Sequence, residues 1–184
     1  MENLFIKTDR LTIRDLRRGD LEEFYAYRSD PEVTRYQNFT VMTKEEAGDF
    51  INDNSLKLFG AAGEWVQYAI ENSTDKQLIG DCAIKLDSND LKIAEVGITI
   101  SPRYQKNGFA KKTLLGLAKW LFEAKGIDSI KEIVDAENIA SIRLLKSAGF
   151  IQRGEEKKMV LFKGKYGSEF QFEMNKQNRE EKKI

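Results

Sequence analysis

Ser101-Pro102-Arg103-Tyr104-Gln105-Lys106-Asn107-Gly108-Phe109-Ala110-Lys111-Lys112 sits between two stretches of opposite character. Before it, Ala94-Glu95-Val96-Gly97-Ile98-Thr99-Ile100 reads as a strand; after it, Thr113 to Ala124 reads as a helix. The order is therefore strand, short loop, helix start. A helix start offers unpaired backbone N–H groups and a partial positive charge, which suit a phosphate. Gly108 lets the backbone approach a ligand with no Cβ in the way, and Lys106, Lys111 and Lys112 add charge. The stretch has neither G-x-G-x-x-G nor G-x-x-x-x-G-K-[ST], so the dinucleotide and P-loop patterns do not apply. By itself it is equally an ordinary turn that opens a helix.

The remaining sequence narrows the choice. A chain of 184 residues with 41% hydrophobic and 33% charged residues has a globular composition and the length of one domain. Lys+Arg and Asp+Glu both number 30, which gives no general case for binding nucleic acid or a membrane. With Cys82 alone, no intramolecular disulfide forms, and a reducing, cytoplasmic setting is the simpler expectation. No apolar run reaches membrane-spanning length. The absence of histidine excludes Ser-His-Asp and Cys-His nucleophiles and a His-ligated zinc, and no metal is expected. A general base near neutral pH must then be a carboxylate, tyrosine, lysine or water relay. Cys82, in a hydrophobic strand, reads as packing, and Trp65 and Trp120 read as core or interface.

Leu4 to Thr8 and Arg10 to Arg14 are extended, and Asp20 opens a helix carrying Phe24, Tyr25 and Arg28. Asp30-Pro31 is a helix start with Asp30 as N-cap, and Thr43-Lys44-Glu45-Glu46 is a capping box. Trp65–Ile70, Gln77–Leu86 and Lys92–Ile100, joined by short polar turns, read as an antiparallel meander. Ile130–Val134 is a further strand, followed by a short helix capped by Asn138 and closed by Gly149. Met159–Lys163 and Phe170–Met174 are the last two strands. The prediction is one α+β domain over residues 1–175, a mixed sheet with helices on both faces, and a charged, frayed tail over 176–184.

Two motifs carry a family resemblance. Gln105-Lys106-Asn107-Gly108-Phe109-Ala110 fits Q/R-x-x-G-x-G/A, and Asn138-x-x-Ser141-x-x-x-Leu145-x-x-x-Gly149-Phe150 fits N-x-x-S/A-x-x-x-[LY]-x-x-x-G-F. Both resemble the GNAT superfamily, the GCN5-related N-acetyltransferases. Thr8-Asp9-Arg10-Leu11, Asp20-Leu21 and Ser29 to Tyr36, in that order, resemble its RimJ/RimL branch, which acetylates the N-termini of ribosomal proteins. The resemblance spans Thr8 to about Met174 and implies a mostly antiparallel sheet of about seven strands with a splayed slot for coenzyme A. It implies acetyl-CoA as cosubstrate, with its pyrophosphate at Gln105, Lys106, Asn107, Gly108, Phe109, Ala110 and Lys111. The backbone of Ile98, Thr99 and Ile100 would pair with the pantetheine amides like an added strand. Asn138 would contact the pantetheine arm, and Ser141 would lie near the thioester sulfur. Taken singly, Asn138 is also a good N-cap and Ser141 an ordinary first-turn residue.

The implied reaction is direct attack of a primary amine on the thioester. Glu95, in Ala94-Glu95-Val96-Gly97, is the candidate base through water, and Ser141 the candidate donor to the departing thiolate. The plain alternative for Glu95 is a solvated residue or a carboxylate held by an arginine. Gly97 is a candidate bulge that opens the slot. The chain departs from the branch pattern at Val160, at Arg153, and at Gly167-Ser168-Glu169. The expected acceptor is a protein or peptide N-terminal amine. The alternatives are a polyamine or aminoglycoside, with Asp53, Asp81 and Glu169 as candidates for an acidic rim, or a non-catalytic acyl-CoA sensor. A monomer or homodimer is expected.

Overall fold

Polar turns divide the middle of the chain into three hydrophobic runs, and these runs form the centre of the sheet. In the computed structural model, which describes residues 4–37 and 39–181, β3 (Val66–Asn72), β4 (Leu78–Leu86) and β5 (Ile93–Ile100) make the expected antiparallel meander. β1 (Ile6–Lys7) and β2 (Leu11–Asp15) extend it on one side. β6 (Ser129–Asp135), β7 (Ile151–Phe162) and β8 (Lys165–Asn175) extend it on the other, in the order β1-β2-β3-β4-β5-β6-β8-β7. Among the described residues the sheet has eight strands, close to the expected number of about seven, with β1 only two residues long.

Helices cover both faces. Side chains of a strand alternate between faces, so Ala94, Val96 and Ile100 of β5 join one core with Leu114, Leu117, Leu121 and Phe122 of α4 (Phe109–Ala124) and Ile142 and Leu145 of α5 (Ile139–Ala148). Each of these side chains larger than alanine contributes about 1.5–3 kcal/mol on burial. On the other face, Phe24 and Tyr27 of α1 (Leu21–Arg28) and Ala47 and Ile51 of α3 (Lys44–Ser55) pack on Ala69 and Leu78. The short α2 (Pro31–Thr34) starts as expected, with Asp30 accepting from Glu32 N at 2.9 Å, and α3 carries the Thr43/Glu46 capping box.

Among the described residues every ladder is antiparallel except the one between β5 and β6. That parallel ladder is short: Ile93, Ala94 and Glu95 pair with Ser129, Ile130 and Lys131, and among the described residues it goes no further. Beyond it each strand follows its outer neighbour, β5 staying with β4 to Ile100 and β6 with β8 to Asp135. Gly80 permits β5 to lie close against β4, since a Cβ there would lie 2.2 Å from Thr99 O. The result is a fork with two unpaired inner edges. The expected bulge at Gly97 is corrected: Gly97 pairs with Ala83 inside an unbroken β4–β5 register, and the opening comes from the end of the β5–β6 ladder.

Two boundaries also differ from expectation. β7 starts at Ile151, well before Met159, and its charged middle section, with register shifts at Arg153/Lys157 and Lys158/Val160, has no hydrophobic alternation to announce it. The segment expected to fray forms α6 (Lys176–Glu181), tied by an Arg179–Glu123 ion pair of 3.1 Å; residues 182–184 lie outside the described residues. Among the described residues no helix is long and apolar enough to cross a membrane.

Candidate active site

The loop after β5 turns through Pro102–Tyr104 and delivers Gly108 as the N-cap of α4 with φ 80. Only glycine adopts that conformation readily. Among the described residues no side chain caps this end, so the first-turn N–H groups of a 16-residue helix have no side-chain acceptor at the cap. The loop is braced from behind. Gln105 Nε2 donates to Ile100 O at 3.0 Å, and Asn107 Nδ2 donates to Gln105 O at 3.0 Å. Arg10 Nη1 donates to Asn107 O at 2.9 Å while the guanidinium lies 4.4 Å from the centre of the Phe109 ring. Lys112 pairs with Asp9, while Lys106, in the left-handed region with φ 62, and Lys111 are exposed. The loop thus joins the far end of β5, with Ile98, Thr99 and Ile100 on the free inner edge, to an open helix start.

The second expected motif stands across the fork. Asn138 caps α5, its Oδ1 accepting from Ser141 N at 3.1 Å, which places Ser141 in the first turn beside β6. Gly149, at φ 96, closes the helix as read. Ser141 Oγ lies 3.5 Å from Oε1 of Glu132, a residue that the motif reading missed. Glu132 is the first β6 residue past the last β5–β6 pair. It shares a face with the core residues Ile130 and Val134 and is 9% exposed. Its Oε2 is buried and has no hydrogen-bond partner among the described residues. Burial, opposed by the Ser141 contact and reinforced by Glu95, pushes its carboxyl up to about 8. The signal was present in Ile130-Lys131-Glu132-Ile133-Val134, where a charged residue occupies a core-facing position of an alternating strand.

Glu95 occupies the opposite face at the fork's apex. Its carboxylate is held by Lys85 at 2.5 Å, not by an arginine, and the Lys85 ammonium lies 4.6 Å from the centre of the Trp65 ring. Glu95 lines a pocket of about 130 Å³ together with Asp135, Glu169, Val160, Phe162 and Tyr36. Lys163, at the β7–β8 turn, donates to Thr34 O and Phe39 O at 2.6 Å each, which ties the hairpin to the segment bearing Tyr36. Val160, one of the positions that depart from the branch pattern, forms part of the apolar wall. Of the three residues expected to form an acidic rim, only Glu169 lies here. Asp81 is fully buried, and Asp53 lines a separate groove with Arg17 and Arg18. Cys82 is buried and its thiol is pushed well up by burial, in keeping with packing. Trp120 packs on Phe59 at 5.0 Å, away from this site.

The chain matches the Acetyltransferase (GNAT) domain over residues 10–151. It is 34% identical over 156 residues to the uncharacterized N-acetyltransferase p20 of Bacillus licheniformis, covering 84% of this chain and 85% of that one. Among solved structures, it resembles the spermidine N-acetyltransferase of Vibrio cholerae in complex with CoA and spermine, with a TM-score of 0.78 at 21% identity, covering 93% of this chain and 98% of that one. It also resembles RimL, a ribosomal-protein alpha-N-acetyltransferase in complex with coenzyme A, with a TM-score of 0.80 at 16% identity, covering 94% of this chain and 98% of that one.

Proposed function

This chain belongs to the GNAT acetyltransferases and is an acyl-CoA-dependent N-acetyltransferase; from that premise we propose that acetyl-CoA lies along the β5–β6 fork and that a cationic primary amine meets it from the Glu95 side. The observation that carries this reading is the fork itself. It has an open helix start beyond one end and two carboxylates with Ser141 around its apex. The first-turn N–H groups at Gly108, Phe109, Ala110 and Lys111, with the charges of Lys106 and Lys111, receive the pyrophosphate. Gln105 and Asn107 act from behind by fixing the loop. The inner edge at Ile98, Thr99 and Ile100 pairs with the pantetheine amides, and Asn138, its Oδ1 engaged as a cap, retains its Nδ2 for the arm.

The amine must lose a proton, and the thiolate must gain one. Glu95 takes the first through water. It is held in place by Lys85, and a carboxylate acting through water suits an acceptor that needs little help. A peptide α-amine has a pKa of about 7.7–8.0, whereas a lysine ε-amine is near 10.4. Ser141 serves the sulfur. We therefore favour the α-amine of a protein or peptide N-terminus, a reading that the likeness to RimL and the position of Tyr36 in the pocket support. The narrow pocket suits an amine and its nearest substituents rather than a folded surface. The second reading is a polyamine. The carboxylates of Glu95, Asp135 and Glu169 in the pocket favour it, as does the likeness to the spermidine enzyme.

The test is steady-state CoA release with free peptides, the same peptides blocked at the N-terminus, polyamines and aminoglycosides. The α-amine reading expects turnover on free peptides only. Equal rates on free and blocked peptides, or turnover confined to the small amines, overturn it.

A further inference from the structure

We infer that Glu132 is a positioning residue that supplies, through Ser141, the proton taken up by the departing CoA thiolate. The inference rests on the proposed role of Ser141 and adds the source of its proton. Three observations place Glu132 there. It is the β6 residue at which the fork opens, immediately past the Glu95–Lys131 pair. Its Oε1 is 3.5 Å from Ser141 Oγ, the outer limit of a hydrogen bond and the kind of loose contact that tightens when substrate is bound. Its Oε2 is buried without a partner, whereas a purely structural buried acid has its oxygens satisfied.

The surroundings favour the protonated form. β8 opposes Glu132 with Phe172, and Ile130 and Val134 flank it on its own face. α5 offers it Ser141 and no cation of its own first turn, which runs Ile139-Ala140-Ser141. Glu95, across the fork on β5, adds negative charge but is engaged by Lys85. Glu173 on β8 is turned to Ser129 and Arg153. Lys131, its neighbour on β6, lies on the opposite face, in register with Glu95. Desolvation is the largest effect, and the carboxyl is held neutral to about pH 8.

The two carboxylates therefore have different roles because they lie on different faces. On the Glu95 face the amine nitrogen attacks the thioester carbonyl, and its proton leaves through water. When the tetrahedral intermediate collapses, the C–S bond breaks and its electron pair goes to sulfur. Sulfur takes the Ser141 proton, Ser141 Oγ takes the Glu132 proton, and Glu132 is left as a carboxylate. It regains a proton from solvent once CoA has departed.

The experiment is the pH dependence of kcat at saturating acetyl-CoA and amine, measured from about pH 6 to 10 on the wild type, Glu132→Gln and Ser141→Ala. The wild type should rise as the amine deprotonates and then fall on an alkaline limb as Glu132 ionises. Glu132→Gln, which has nearly the same shape but cannot donate an acid proton, should lose that limb and lower kcat by about 10²-fold, the low end of general acid–base effects. CoA affinity by calorimetry should stay near wild type in both variants. A wild-type profile with no alkaline limb overturns the inference without any variant. So does a Glu132→Gln enzyme that keeps both kcat and the limb while Ser141→Ala is slow. A Ser141→Ala enzyme with wild-type kcat instead overturns the underlying role of Ser141.

Discussion

Asp81 and Glu132 are both carboxylates buried in one sheet, on opposite faces, and their surroundings differ in kind. Asp81 is fully enclosed and fully matched. It accepts from Tyr27 Oη at 2.6 Å, from Arg28 Nη2 at 2.6 Å and from the Gln67 amide. The Arg28 guanidinium in turn lies over Phe39 at 3.6 Å and Phe24 at 4.8 Å. That set ties α1 to β4 and leaves nothing over for chemistry. Glu132 has one long contact and one unpartnered oxygen, and it stands where the sheet opens. A buried charge with all its partners holds a fold together; a buried acid lacking them is kept neutral and remains available to a proton acceptor.

The largest effect that sharpens this contrast is catalytic. Ser141→Ala should reduce kcat by about 10²–10⁴-fold with CoA affinity nearly unchanged, the signature of a group used in the transition state. Stopped-flow or steady-state kinetics beside calorimetry would check it.

On the other face the prediction concerns stability. Asp81→Ala leaves Arg28 buried without its anion and should cost about 3–5 kcal/mol, seen as a large fall in the denaturation midpoint. A variant that melts like the wild type would break the contrast between the two carboxylates.

A smaller effect follows from linkage. In the fold, Glu132 carries a pKa raised from 4.5 to about 8, so the folded state retains a proton that the unfolded chain gives up earlier. Its contribution to stability is full below pH 4.5 and is lost as pH rises through about 8. At about 1.36 kcal/mol per pKa unit, the loss amounts to a few kcal/mol at most. Urea denaturation of the apoprotein at several pH values should show this decline, and Glu132→Gln should flatten it.

The features of the fold that depend on local chemistry are legible in the sequence. Pro31 behind Asp30, Thr43 ahead of Glu46, and the polar turns at 72–77 and 88–92 dictate helix starts and strand ends from neighbouring residues alone. Gly108 and Gly149 mark left-handed positions in the same way. What escaped depends on contacts between distant segments. The fork arises where the β5–β6 ladder stops, and no residue in β5 announces that; Gly97 suggested a bulge that its regular pairing with Ala83 rules out. Asp81 looked like a rim residue because its partners Tyr27 and Arg28 lie more than fifty positions away in the chain. Asp135 and Tyr36 reach the pocket beside Glu95 only because β6 and the β7–β8 hairpin converge on the segment after α2.

Acetyl-CoA is proposed to occupy the open inner edge of β5 and the start of α4. Hydrogen–deuterium exchange with and without acetyl-CoA tests it most directly. New protection is expected at residues 96–100 and 108–111, with the amides of β3 and β4 unchanged. Binding confirmed by calorimetry, with no added protection in either segment, would contradict it.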